Sequence, residues 1–70
     1  MKIGIIGAGK VGTSIGHVIK SKGLNIVAVS DKLENQLNVA KDYIGHEAIY
    51  SPNNMQIVQL SDVIAITTQD

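Results

Sequence analysis

The sequence contains no cysteine, no arginine, no phenylalanine and no tryptophan, and its 70 residues include a single proline, Pro52. Each absence excludes something. Without cysteine there is neither a disulfide framework nor a thiolate metal site. Without arginine there is no planar fork of donors to grip a phosphate in two places. Six lysines balance six carboxylates, for a net charge of zero, which leaves no basic face for nucleic acid. The opening apolar run is too short and too rich in glycine for a signal peptide or a membrane span, so the expected setting is cytoplasmic, with no membrane partner. The two histidines, His17 and His46, lie far apart in the chain with no ligand-spaced neighbour. His17 is expected on the polar side of a first helix and His46 in a loop, and no metal site is expected.

What the chain does have is branched aliphatic residues: 22 of its residues are Ile, Val or Leu. Aliphatic core material without large aromatics suits a parallel sheet covered by helices. Seventy residues make one small domain, able to bury roughly 60% of its unfolded surface.

Strand and helix signals alternate along the chain with short links. Lys2–Ile6 is an apolar, isoleucine-rich strand. Val11, Ile15, Val18 and Ile19 then recur at helical spacing up to a stop at Gly23. Asn25–Val29 reads as a second strand. After it, Asp31 and Glu34 have the spacing of a capping box, and Leu33, Leu37, Ala40 and Ile44 form the stripe of a second helix ended by Gly45. Ala48–Tyr50 reads as a short third strand. Ser51-Pro52 reads as the cap and first position of a brief third helix, with Met55 and Val58 turned inward. Asp62–Thr67 is a fourth strand of the buried parallel type. The fold class is therefore α/β, a Rossmann-type parallel sheet with helices on both faces and strand order 3-2-1-4.

The segment Gly7-Ala8-Gly9-Lys10-Val11-Gly12 carries the functional signal. A Gly-x-Gly-x-x-Gly turn between a buried strand and a helix forms a phosphate-binding corner. Gly7 permits the tight turn, Gly9 lets the backbone approach a pyrophosphate, and Gly12 lets the helix lie against the strand. The unpaired N–H groups of the first helical turn then face the anion. Lys10 is either close to the phosphates or a solvated side chain. Thr13 and Ser14 are expected to bond locally, and Gly12 with Gly16 to form a small-residue stripe for close packing on the sheet.

A dinucleotide fold also needs an acceptor for the adenosine ribose at the end of the second strand. Asp31 stands there, 19 residues after Gly12. Its carboxylate would accept ribose hydroxyls and repel a 2′-phosphate, which with the missing arginines favours NAD over NADP. The capping box offers a second explanation of Asp31, and Lys32 beside it could pair with a phosphate. Thr67 and Thr68, at the carboxyl edge of the fourth strand, either meet the cofactor or simply terminate the strand. With no helix after that strand to cover it, residues 1–70 read as the first part of a larger dinucleotide-binding domain.

The segment from Ile3, reading Ile-Gly-Ile-Ile-Gly-Ala-Gly-Lys-Val-Gly-Thr-Ser-Ile-Gly, resembles the start of a group of Rossmann-like oxidoreductases. That group joins the coenzyme F420-dependent NADP oxidoreductases, the pyrroline-5-carboxylate reductases and the prephenate dehydrogenases. It includes a branch in which a helical domain of unknown function (DUF2520) follows. Ser61 to Asp70 is similar to the group's fourth strand, with Gln69 where a proline is usual. The resemblance spans essentially the whole chain. It implies a nicotinamide cofactor, hydride transfer with a small-molecule substrate, and a C-terminal helical domain that often dimerises and completes the active site. NADP-using members often carry Ser-Arg or Asn-Arg after strand 2, and this chain has Ser30-Asp31.

The competing expectation is a non-enzymatic nucleotide sensor of the kind attached to potassium transport systems. Such domains share the glycine loop and the acidic residue, but usually turn through a Gly-Asp-Ala-type sequence after strand 3. Here the corresponding stretch is Tyr50-Ser51-Pro52-Asn53-Asn54. No catalytic residue is expected within residues 1–70, and the chain by itself is expected to be inactive.

Overall fold

The structure, a computed structural model, describes residues 1–67. Its elements run β1 (Lys2–Ile6), α1 (Lys10–Ser21), β2 (Asn25–Ser30), α2 (Glu34–Ile44), β3 (Ile49–Ser51), α3 (Asn54–Leu60) and β4 (Val63–Ile66). The strands form one sheet of order β3-β2-β1-β4, every neighbouring pair parallel. β1 and β2 are the inner strands, which is why the isoleucine and valine run of each is mostly buried.

Successive strand residues face opposite sides of a sheet, and here the two sides differ. Ile5 and Val29, both fully buried, share a core cluster with Leu37, Ala40 and Ile44 of α2. Ile57 of α3, also fully buried, lies instead against Gly4. Thus α1 and α2 cover one face and α3 the other. The β1–β2 register shifts by one residue between Ile3 and Gly4, a bulge that lets both Ile26 and Val29 join the α1–α2 core.

The helices refine the periodicity readings. In α2, Leu37, Ala40 and Ile44 are buried as the stripe requires. Leu33 is exposed because it is the N-cap and not part of the helix. In α1 the buried face is Gly12, Thr13 and Gly16, while Val11 and Val18 stay half-exposed. The small stripe lets the helix approach the sheet so closely that larger side chains can sit only on its flanks. A Cβ on Gly16 would run into Ile44 and Ile5.

The third helix corrects two expectations. Its cap is Asn53, whose side chain accepts the Met55 N–H at 3.0 Å. Ser51 ends β3 and accepts the Asn53 N–H at 3.1 Å, so Pro52 lies in the connection and not in the first helical turn. The inward residue is Ile57; Met55 and Val58 face outward, because starting the helix two residues later rotates its stripe. β3 and β4 are also shifted or trimmed by about a residue at their ends. β4 is only half covered, with Val63 and Ile66 exposed.

Candidate functional site

β1 runs into the glycine loop, whose N–H groups divide into those bonded within the fold and those without an acceptor. Gly7 has φ of 102°, a conformation open to glycine but strained for other residues. In it, the Gly7 N–H reaches the Ser30 carbonyl at 2.8 Å. The Ala8 N–H donates to Asp31 Oδ2 at 2.8 Å. The first helical bond of α1 runs from the Thr13 N–H to the Gly9 carbonyl at 2.8 Å. The N–H groups of Gly9, Lys10, Val11 and Gly12 have no acceptor among the described residues. Four donors without an acceptor at the positive end of a 12-residue helix are what an anion would need there.

The other two glycines divide the work. A Cβ on Gly12 would overlap the Gly7 carbonyl oxygen and come within 2.6 Å of Thr67 Oγ1. Glycine at position 12 is thus demanded by packing of the chain on itself. A Cβ on Gly9 would meet only the mobile end of Gln36, at 3.3 Å, and Gly9 has φ of −69°, open to any residue. Nothing in the chain's own packing demands glycine at position 9; a ligand lying on the loop would. The local donor set and this bare backbone fit a cofactor pyrophosphate.

Asp31 follows β2 and turns back over the loop. Besides the Ala8 N–H on Oδ2, its Oδ1 accepts the Leu33 N–H at 2.8 Å. The capping box with Glu34 does not form: α2 starts at Glu34, with Leu33 as a cap that offers no side-chain bond. The pull of the loop amide on the carboxylate sets Asp31 before the helix, not at its cap. Two backbone donors hold the carboxylate in place in the wall of the hollow beside it, and each oxygen can accept a further hydrogen bond.

That hollow, about 790 Å³, lies in the size range of small-molecule sites. It opens at the carboxyl ends of β1, β2 and β4, with Ile6, Gly7, Asp31 and Thr67 in its walls. Lys10 and Lys32 are exposed at its rim. The Thr67 hydroxyl donates to the Gly7 carbonyl at 2.5 Å, tying the end of β4 to the loop. Thr68 lies outside the described residues. Thr13 bonds locally, as expected, to the Ala8 carbonyl at 3.0 Å.

Three further residues enter the site through tertiary structure. Leu33 and Gln36 come from the start of α2, and Asn54 from the start of α3. Asn54 accepts a 2.6 Å bond from the fully buried Ser30 hydroxyl. The Ser51-Pro52-Asn53-Asn54 turn signal was visible in the chain; which of its asparagines turns to the cleft was not. A second, more apolar hollow lies between α1 and α2, near His17 and Tyr43, and meets the first at Gly9, Lys10 and Gln36. His17 Nδ1 lies 3.0 Å from the Tyr43 carbonyl. Among the described residues no cluster of His, Asp or Glu could hold a metal ion, and no helix is long and apolar enough to cross a membrane.

Four free amides at the switch point of a parallel 3-2-1-4 sheet place the protein in the class of Rossmann-type dinucleotide-binding domains. Residues 2–69 match the family model described as NADP oxidoreductase, coenzyme F420-dependent, and the chain belongs to that family. It is an oxidoreductase domain of the NAD(P)-binding kind. No curated protein matches it.

Proposed function

We propose that this chain binds NAD in preference to NADP and serves an enzyme that moves hydride between the nicotinamide ring and a small-molecule substrate. The observation that carries the reading is the Asp31 carboxylate, pinned by the Ala8 and Leu33 N–H groups beside the free loop amides. A carboxylate free to rotate could withdraw from a 2′-phosphate; one held by two backbone donors stays and repels it, while its spare lone pairs accept ribose hydroxyls. With no arginine in the chain, only lysine could answer the extra charge, as a point charge without a fork.

In this reading the N–H groups of Gly9, Lys10, Val11 and Gly12, with Gly7 and Ala8 shaping the turn, hold the pyrophosphate. Lys10, Lys32 and Thr67 border it. The cofactor, when bound, supplies the hydride chemistry, and the chain supplies binding and orientation. We assign no catalytic residue.

The test is a titration of the full-length protein with NADH, NADPH and reduced coenzyme F420. NADH binding tighter than NADPH is expected. Hydrogen bonds to a charged group are worth about 1.5–3 kcal/mol, so Asp31→Ala should weaken NADH roughly ten- to a hundredfold and NADPH far less. An equal loss for both nucleotides would remove the ribose role from Asp31.

A further inference from the structure

The Gln36 side chain, beside the loop, has no hydrogen-bond partner among the described residues. Gln36 lies in the first turn of α2, its backbone N–H fixed on the Leu33 carbonyl at 3.1 Å. Its amide oxygen comes to 3.3 Å from the place a Gly9 Cβ would take, so the amide head rests over the bare backbone of the loop, and a half-turn of the terminal amide presents its N–H groups there in place of the oxygen. It also forms the wall shared by the two hollows. Of the neighbouring polar groups, Asp31 is held by two backbone N–H groups, the Asn54 oxygen by the Ser30 hydroxyl, and Thr67 by the Gly7 carbonyl, while Lys10 and Lys32 stand exposed at the rim. Among the described residues the Gln36 amide has no hydrogen bond, and it is only partly covered. A half-buried amide with two free N–H donors, set over an anion-binding loop from the opposite helix, is placed to complete the anion's shell from the side that α1 cannot reach.

We propose that Gln36 is a phosphate-binding residue: its amide N–H donates to the cofactor phosphate held by the loop amides, so that the anion is gripped from α2 as well as from α1. The proposal rests on the cofactor reading above. It also gives Gly9 a second reason to be glycine, since a larger side chain would push the amide off the loop. Glutamate at position 36 would instead set a negative group beside both the phosphate and Asp31.

The experiment compares wild type, Gln36→Ala, Gln36→Met and Gln36→Glu in the full-length protein, with circular dichroism and thermal melting as controls of folding. NADH affinity is measured directly and inorganic pyrophosphate as its competitor. Gln36→Met keeps the length and packing but removes the donors, so it should lose about tenfold for NADH, as Gln36→Ala does. The pyrophosphate competition constant should rise by the same factor. Gln36→Glu should lose more, and should recover part of the loss as salt is raised, because screening weakens the new repulsion. Wild-type affinity in Gln36→Met, or a loss for NADH without one for pyrophosphate, would overturn the proposal while leaving the cofactor reading standing. Wild-type protein that binds neither NADH nor NADPH would overturn both.

Discussion

At the scale of single residues, the three glycines of the loop do unlike things, and mutation should separate them. Gly12→Ala forces a methyl into the Gly7 carbonyl oxygen. Overpacking against backbone costs about 1–3 kcal/mol or more, so the variant should unfold at clearly lower urea concentration than wild type. Gly9→Val meets only a movable glutamine head and covers the amides from which an anion would hang. It should keep the circular dichroism spectrum and melting temperature close to wild type while NADH binding is lost. If Gly9→Val melts as early as Gly12→Ala, the division of labour is wrong. Both glycines were legible as a pattern of three. Which one serves the fold and which the ligand was not, because that depends on what lies within 4 Å of a Cβ that is not there. Asp31 was legible in the same limited sense. Its distance from Gly12 is a sequence property, whereas its grip on the Ala8 N–H needs β2 lying beside β1.

At the scale of elements, apolar periodicity located the helices and strands to within a residue or two, but it did not by itself name the inner face: α1 buries Gly12, Thr13 and Gly16 while its valines stay exposed. In α2 the stripe from Leu37 to Ile44 is buried. In α3 the cap falls on Asn53, and Ile57 replaces Met55 and Val58 as the inward residue. Ile57→Ala should therefore cost about 2–5 kcal/mol in urea unfolding, a large share of a small domain's stability. Met55→Ala, at an exposed position, should change little. A large loss in Met55→Ala with none in Ile57→Ala would reverse the assignment of faces.

The join between α2 and β3 has its own signature. The Tyr50 hydroxyl donates to the Gly45 carbonyl at 2.6 Å, and Lys41 lies 5.6 Å from the centre of its ring. Burial pushes the Tyr50 phenol from its ordinary 10.0 up to about 12. The fold thus favours the neutral phenol. Its contribution is whole below pH 10.0 and is lost as pH rises through about 12. Stability measured across that window should fall more steeply in wild type than in Tyr50→Phe, and parallel curves would remove Tyr50 as the cause.

At the scale of the whole molecule, the alternation of strands and helices already implied a parallel sheet of order 3-2-1-4, because short right-handed crossovers leave few other arrangements. The sheet places its least covered strand at an edge: Ile66 is 70% exposed and Val63 47%. An apolar parallel edge invites pairing, so the 70-residue chain by itself should associate as its concentration rises in sedimentation. Ile66→Lys should shift it toward monomer; an unchanged distribution would place the association elsewhere.

What the sequence determined by itself is local and periodic. The aliphatic strands, the glycine turn, the helix stripe of α2 and the spacing from Gly12 to Asp31 all rest on interactions between residues close in the chain. Tertiary structure decided what depends on residues distant in sequence meeting in space. It fixed which glycine is demanded by packing and which is free for a ligand. It turned Asp31 from a helix cap into a clamp on the loop, and it brought Gln36 and Asn54 to the cleft. Side-chain periods are set by backbone geometry, whereas a site is set by the meeting of separate elements, and only the folded sheet brings them together.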